Sequence, residues 1–347
     1  MNASPPAITV LMPVHNGDAY LDASVQSILD QSFRDFELLA VDDGSTDRTP
    51  ALLQQAAQRD PRVRVIGGGA RLGFSAALNL GLDAARGEYV ARMDADDVAA
   101  PDRLACQHAY LEAHPEIGLC GGRVATFGLR EGTFHRPPLT AEETRCYLLF
   151  DNPFAHPTVM VRRALLERHQ LRFDASYCPA DDYELWARAL AHFPGVNLNQ
   201  VLLRYRIHAR SLTQAEWGDM DAHAARVAAR ELAALGLPVD DDTVRLHRNI
   251  GRGRCCPVES WELLDRAESW LRQILAANAQ RARYPQDALA RTVADVWYRV
   301  CAHAGQLGVR MVRRYARSPL RAAHATTARE WLALVRAAIR KGNVSPP

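Results

Sequence analysis

The chain has 347 residues, 48% hydrophobic and 24% charged, an ordinary globular composition with length enough for two domains. A net charge of +2 and a pI near 8.2 are too mild to argue for a nucleic-acid partner. No apolar run approaches the length of a membrane span.

The start, MNASPPAITVLMPV, lacks a basic stretch followed by a long apolar one, so no secretory leader is expected. The seven cysteines are scattered without a CxxC pair, and Cys255–Cys256 is too tight for a metal-site spacing. Reduced thiols in a cytoplasmic protein are the expectation.

The first hundred residues alternate strand and helix signals. AITVLMP (7–13) is a short apolar run stopped by Pro13, and Asn16-Gly17 turns the chain. Leu21, Val25, Ile28 and Leu29 recur at helical spacing. FELLAVD (36–42) predicts a second strand, and Ser45, Thr46 and Asp47 offer caps for a helix near 48–59. VRVI (63–66), a helix over 73–85 and EYVARMD (88–94) follow. This alternation predicts an α/β fold, a parallel, doubly wound sheet covered on both faces. Beyond it the pattern is mixed. A helix opens after Pro101, IGLCGGRVATFG reads as a strand pair or bulged strand, and HPTVMVRRALLERH (156–169) as a strand leading into a helix. DDYELWARALAHF (181–193) predicts a helix and VNLNQVLLRYRIH (196–208) a strand. FAHPTV (154–159) reads equally as a buried strand or a border of the sugar site. After about 211 only helical periodicity remains, which places a domain boundary at 212/213.

Acidic groups gather where apolar strands stop. Asp42-Asp43 ends the second strand, and Asp94, Asp96 and Asp97 end the fourth. In an open parallel sheet these ends face one crevice. Carboxylates spaced this closely repel one another, and a hard divalent cation such as Mg²⁺ or Mn²⁺ relieves the repulsion. Such an ion completes its shell with phosphate oxygens, so the cluster suits a diphosphate. A solvated, helix-capping loop is the plainer reading of an isolated Asp-x-Asp. Asp42 or Asp43 can accept a hydrogen bond from a base N–H or a ribose hydroxyl. Asp181-Asp182 either favours the helix macrodipole or supplies a general base whose pKa is raised by its neighbour. At the end of the last strand, Arg206 can clamp a phosphate, and His208 can ligate the metal or touch the diphosphate.

The segments VLMPVHNGDAYLDASVQSILDQSFRDFELLAVDDGSTD, GEYVARMDADDVAAPDRL, HPTVMVRR, DDYELWARA and LLRYRIHARSLT stand in the order and spacing of family 2 glycosyltransferases. Over about residues 7–213 the chain therefore resembles that family, whose GT-A fold is Rossmann-like. The resemblance implies a nucleoside-diphosphate sugar donor, a divalent metal, and inversion at the anomeric carbon. It implies a saccharide or lipid-linked acceptor and a place in cell-surface polysaccharide or glycan assembly. Carried over by position, Pro13, His15 and Asp43 line the nucleobase pocket, with Asn16, Asp42 and Arg206 in the donor-binding set. Asp94 lies near ribose and metal, Asp96 is the principal metal ligand with His208 beside it, and Asp182 is the base. His15 stands where many members carry Tyr, and Asp181-Asp182 replaces the commoner Glu-Asp. The Gln-x-x-Arg-Trp signature of processive synthases is absent, which implies one sugar per encounter.

Two rival readings stand beside this one. A dinucleotide oxidoreductase needs G-x-G-x-x-G after the first strand, where this chain has MPVHNGD. The other is a non-catalytic sugar-nucleotide-binding or scaffold protein acting through its helical tail. That tail, residues 213–347, carries ten Arg/Lys against Glu330 between Arg299 and Lys341. It reads either as a bundle with a solvated basic face or as a peripheral contact with an anionic membrane at the inner face.

Overall fold

The computed structural model describes residues 4–134, 137–208, 217–251 and 258–342. The chain divides into two compact units, Met1–Thr144 with Asn152–Ala224, and Arg145–Asp151 with Ala225–Pro347. The expected boundary at 212/213 lies outside the described residues.

In the first unit, β1 (Ile8–Val14) and β2 (Phe36–Asp42) are buried along their whole length. Continuous apolar runs behave this way when both faces of a parallel sheet are covered. With β3 (Val63–Gly67) and β4 (Tyr89–Arg92) they form a parallel quartet in the order β3-β2-β1-β4. One face packs Ile8, Val10 and Met12 against Leu21, Val25 and Ile28 of α1 (Leu21–Leu29) and Leu53 of α2 (Thr49–Arg59). The other face meets α3 (Phe74–Ala84) so closely that a Cβ on Gly81 would lie 2.1 Å from a Leu11 methyl. Strands β2 and β3 lie on one side of β1 and β4 on the other, so the order in which strands are added reverses between β1 and β4. Ligands of open α/β sheets bind outside the strand ends at such a point. Pro13, which has no N–H to donate, sits past the last β1 residue paired with β4.

Beyond β4 the sheet becomes mixed. β5 (Val98–Ala99) runs antiparallel to β9 (Gly195–Ile207), and β9 runs parallel to β6 (Leu119–Gly128). β8 (Met160–Arg162) runs antiparallel to both β4 and β6. Register shifts at Gly122–Arg123–Val124 make β6 a bulged strand, one of the two forms expected of IGLCGGRVATFG. β7 (Gly132–Phe134) pairs with β6. α4 (Arg103–Ala113), α5 (Ala141–Tyr147), α6 (Arg163–Arg168) and α7 (Asp181–Ala189) complete the order. At 156–158 the expected strand is a 3₁₀ turn, with Pro157 at its start; the strand begins only at Met160.

The second unit is helical: Asp241–Gly251, Trp261–Arg281, Gln286–His303, Val309–Arg317 and Ala328–Gly342, with the C-terminal part of Trp217–Ala234. Its core is built on Trp270, Trp297, Leu271, Ile274, Val293 and Tyr315. Cys146, Leu149 and Phe150 join that core from the middle of the chain. Beside it, the Glu231 carboxylate accepts from Arg283 at 2.9 Å and from the Tyr284 hydroxyl at 2.9 Å, with Arg145 at 3.4 Å. Among the described residues no helix is long and apolar enough to cross a membrane.

Candidate active site

The first wall is the pair of loops that follow β1 and β2. Asn16 accepts from the Thr46 N–H at 2.9 Å, and its own N–H donates to the Ser45 hydroxyl at 3.0 Å. Ser45 and Thr46 thus bind loop to loop, while Asp47 accepts from the first helical N–H, that of Thr49, at 2.9 Å. The His15 ring donates from Nδ1 to the Asp43 carbonyl at 2.8 Å, which leaves the exposed Nε2 face toward Asn16. Gly44 has φ +67°, and a Cβ there would lie 2.8 Å from the Arg71 nitrogen. Asp42 and Asp43 are both buried. Asp42 accepts from the Ser45 N–H at 3.0 Å, and Asp43 accepts from the N–H groups of Leu72 at 2.6 Å and Gly73 at 3.1 Å. The Asp43 carboxylate therefore holds the loop that leads into α3, and Asp42 holds the turn after its own strand. Pro13 is buried in β1, whereas His15 and Asn16 are exposed.

The second wall follows β4. Carboxylate oxygens of Asp94, Asp96 and Asp97 lie within 4.8 Å of one another. Asp94 forms an ion pair with the buried Arg92, and its carbonyl accepts from the Ser24 hydroxyl at 2.7 Å. Burial pushes its carboxyl pKa up against the pull of Arg92. Asp96 is half-exposed and shares a 2.8 Å hydrogen bond with Nε2 of His208. Asp97 is 1% exposed. One of its oxygens accepts from the Arg206 N–H at 2.8 Å, and the other is buried with no partner. Burial, and then the charges of Asp94 and Asp96, push Asp97 well above the usual carboxylate range. Beneath them Arg103, fully buried, donates to the Arg92 carbonyl at 2.7 Å; burial pulls its pKa down to about 10.

Arg206 donates from Nε to the Asp96 carbonyl at 2.8 Å. Its guanidinium carbon is 4.3 Å from the ring centres of both Tyr20 and Phe127. That sandwich fixes the guanidinium plane beside the acidic cluster.

The third wall is the start of α7. Asp181 is buried and accepts from the Ser75 hydroxyl at 2.5 Å. Asp182 accepts from Asn152 at 2.8 Å and from the Tyr183 N–H at 2.6 Å. Burial and then the neighbouring Asp181 charge push its pKa up to about 7, where a carboxylate can take and hold a proton near neutrality.

The N-terminus of α3 joins the walls. Gly73 is bonded to Asp43, Phe74 lies under the Arg92 guanidinium at 5.3 Å, and Ser75 is bonded to Asp181. The Arg92 charge reaches Asp94, Asp181, Asp182 and the His156 imidazole, which burial already drives well below its ordinary range. Through Gly73, Phe74 and Ser75 the start of α3 thus touches Asp43, Arg92 with its partner Asp94, and Asp181, the neighbour of Asp182. Sequence reasoning missed Arg92, Ser75 and Asn152. Arg92 had a signal, a lone charge in an otherwise apolar strand; Asn152 had none.

An orphaned buried oxygen on Asp97 and three convergent carboxylates, one of them hydrogen-bonded to the His208 imidazole, fit a hard divalent cation.

Residues 9–169 match the family model described as glycosyl transferase family 2. An uncharacterized glycosyltransferase of Haemophilus influenzae is 30% identical over 246 residues, covering 65% of this chain and 73% of that protein. The O-antigen biosynthesis glycosyltransferase WbnJ of Escherichia coli is 33% identical over 217 residues, covering 59% of this chain and 81% of that one. Among solved structures, S. aureus TarS 1–349 in complex with UDP-GlcNAc superposes with a TM-score of 0.56 at 20% identity, covering 96% of this chain and 92% of that one. The mannosyltransferase PcManGT from Pyrobaculum calidifontis, in complex with GDP-Man and Mn²⁺, gives 0.51 at 21% identity, covering 99% and 91%. These two likenesses show the fold.

Proposed function

This chain belongs to glycosyl transferase family 2, and on that premise we propose that it moves one sugar from a nucleoside-diphosphate sugar to an acceptor hydroxyl with inversion at the anomeric carbon. The observation that carries the reading is the Asp181-Asp182 pair opening α7, with Asp182 held by Asn152 and Asp181 bonded to Ser75 of α3, whose Phe74 lies under the Arg92 that pairs with Asp94. Asp182 takes the proton of the acceptor hydroxyl. The acceptor oxygen forms its bond to the anomeric carbon as the bond to the diphosphate oxygen breaks, and that electron pair leaves with the diphosphate. Asn152 and the Tyr183 N–H hold the Asp182 oxygens in place for the transfer.

Asp94, Asp96 and Asp97, with His208 beside Asp96, would hold Mg²⁺ or Mn²⁺, which when bound supplies neutralising charge for the departing diphosphate. Arg206, clamped between two rings, reaches the phosphates. His15, Asn16, Pro13, Asp42 and Asp43 shape the base and ribose side. The cellular setting we propose is assembly of a cell-surface polysaccharide on a saccharide or lipid-linked acceptor. It is supported by relatives named for O-antigen biosynthesis, succinoglycan biosynthesis (ExoO of Rhizobium meliloti) and teichuronic acid biosynthesis (TuaG of Bacillus subtilis). A non-catalytic scaffold is not favoured, since it has no use for a carboxyl held near neutrality beside an acidic cluster. The deciding experiment is single-turnover transfer by Asp182→Asn with donor affinity measured in parallel. Lost transfer with retained affinity is expected, and wild-type transfer would remove Asp182 as the base.

A further inference from the structure

The helical unit carries a charged groove that the transfer reaction does not use. Helix Val309–Arg317 presents Arg310, Arg313, Arg314 and Arg317 into a cavity of about 570 Å³, with Arg272 facing them from helix Trp261–Arg281. At spacings of three and four residues these like charges repel along one helix. Arg310 also stands in the first helical turn, where the macrodipole disfavours a cation. The helix itself contains no acid to offset either effect.

Glu268 forms the floor. It is 3% exposed and accepts from the Ser318 hydroxyl at 2.6 Å, from Arg272 at 3.3 Å and from Nε of Arg314 at 2.7 Å. Asp265 takes a second Arg314 nitrogen at 2.7 Å. A buried anion thus fixes two guanidinium groups rather than leaving them to swing in solvent. Arg310, Arg313 and Arg317 have no carboxylate partner among the described residues. Five arginines against Glu268 and Asp265 leave an excess of three positive charges. Trp261, 38% exposed, forms an edge of the same cavity. Planar forks converging on a concave site match the oxygens of a phosphate or diphosphate group.

We propose that this groove is a second anion site, one that binds a phosphate-bearing ligand through Arg310, Arg313 and Arg317 with Arg272 and Arg314 as its fixed base. The phosphate comes either from a lipid headgroup or from a soluble diphosphate, and the chemistry of recognition is the same. The site stands independently of the transfer mechanism.

The test uses the full chain in excess EDTA, so that metal-dependent donor binding is silent. Inorganic pyrophosphate is titrated by calorimetry, and vesicles of phosphatidylglycerol and phosphatidylcholine are tested by co-sedimentation beside pure phosphatidylcholine. Arg310→Gln, Arg313→Gln and Arg317→Gln are combined. A control removes equal charge at the exposed Arg59, Arg329 and Arg336. The groove variant is expected to lose at least tenfold in affinity and the control less than twofold. Groove-dependent pyrophosphate binding assigns a soluble ligand; groove-dependent binding to anionic vesicles alone assigns the headgroup. Equal losses in both variants, or no binding of either probe by the wild type, would overturn the proposal.

Discussion

The two ends of the parallel strands treat buried carboxylates in opposite ways. At the amino-terminal end, burial pushes Glu37 up, but Arg64 at 3.0 Å, the Thr9 hydroxyl at 2.7 Å and the Arg86 N–H at 3.0 Å outweigh it, and its pKa is lowered. At the carboxyl-terminal end Asp42 and Asp43 are held by backbone N–H groups, but beyond β4 and at the start of α7 burial wins. Asp94, Asp97 and Asp182 are all raised, and one Asp97 oxygen has no partner. The helical unit repeats the first pattern at Glu231, lowered by Arg145, Arg283 and Tyr284 against burial. A satisfied buried acid is structure. An unsatisfied one costs stability until a ligand or a proton arrives.

The largest effect that sharpens this contrast falls on rate. Asp182→Asn should cut transfer by roughly 10²–10⁴-fold, the usual worth of a general base, measured as kcat at saturating donor. The same change should raise stability in alkaline solution. Because the folded-state pKa of Asp182 is raised, its favourable contribution is present below the ordinary carboxylate range and is lost as pH rises through about 7. A Tm gain for Asp182→Asn above pH 7 that vanishes near pH 4 is therefore expected from thermal melts.

Metal addition comes next. At a hundredfold excess over Kd, Mn²⁺ should add about 2.7 kcal/mol of stability by mass action. Asp96→Asn should abolish that gain, and an undiminished Tm rise would place the ion elsewhere. At the other end of the sheet, Glu37→Gln should cost about 2 kcal/mol of stability by weakening charge-assisted bonds, with kcat unchanged. Its sign with pH is opposite to that of Asp182: the Glu37 contribution is present above the ordinary Glu range and lost as pH falls through the lowered folded-state pKa. Denaturant melts from pH 7 downward should show the wild type losing its advantage over Glu37→Gln. The smallest effect is Asp181→Asn. The Asp181 charge helps to raise Asp182, so its removal should move the acid limb of the kcat/KM profile to lower pH. An acid limb left in place would assign the raised pKa to burial alone.

How much of this was legible in sequence depended on locality. Strands such as FELLAVD announce themselves because both faces are buried, and their ends mark where Asp42 and Asp94 stand. IGLCGGRVATFG left a strand pair and a bulged strand open, and the register shifts of β6 choose the bulge. What sequence hid was nonlocal. Asn152 meets Asp182 across thirty residues, and Ser75 meets Asp181 across 106. Cys146, Leu149 and Phe150 leave the α/β pattern to complete a helical core that begins again only at 225. HPTVMVRRALLERH read as a strand leading into a helix, yet the proline-containing turn at His156–Thr158 delays β8 to Met160.

The central claim is that the acids gathered after β2, after β4 and at the start of α7 share one ligand. A crystal structure with Mn²⁺ and a nucleoside diphosphate, with the ion located by its anomalous signal, tests it most directly. The expected result places the metal about 2.1 Å from an Asp96 oxygen, with the diphosphate lying between it and Asp182. An ion bound away from Asp94 and Asp96, or a nucleotide seated where neither Asp43 nor Asp182 can reach it, would contradict the account.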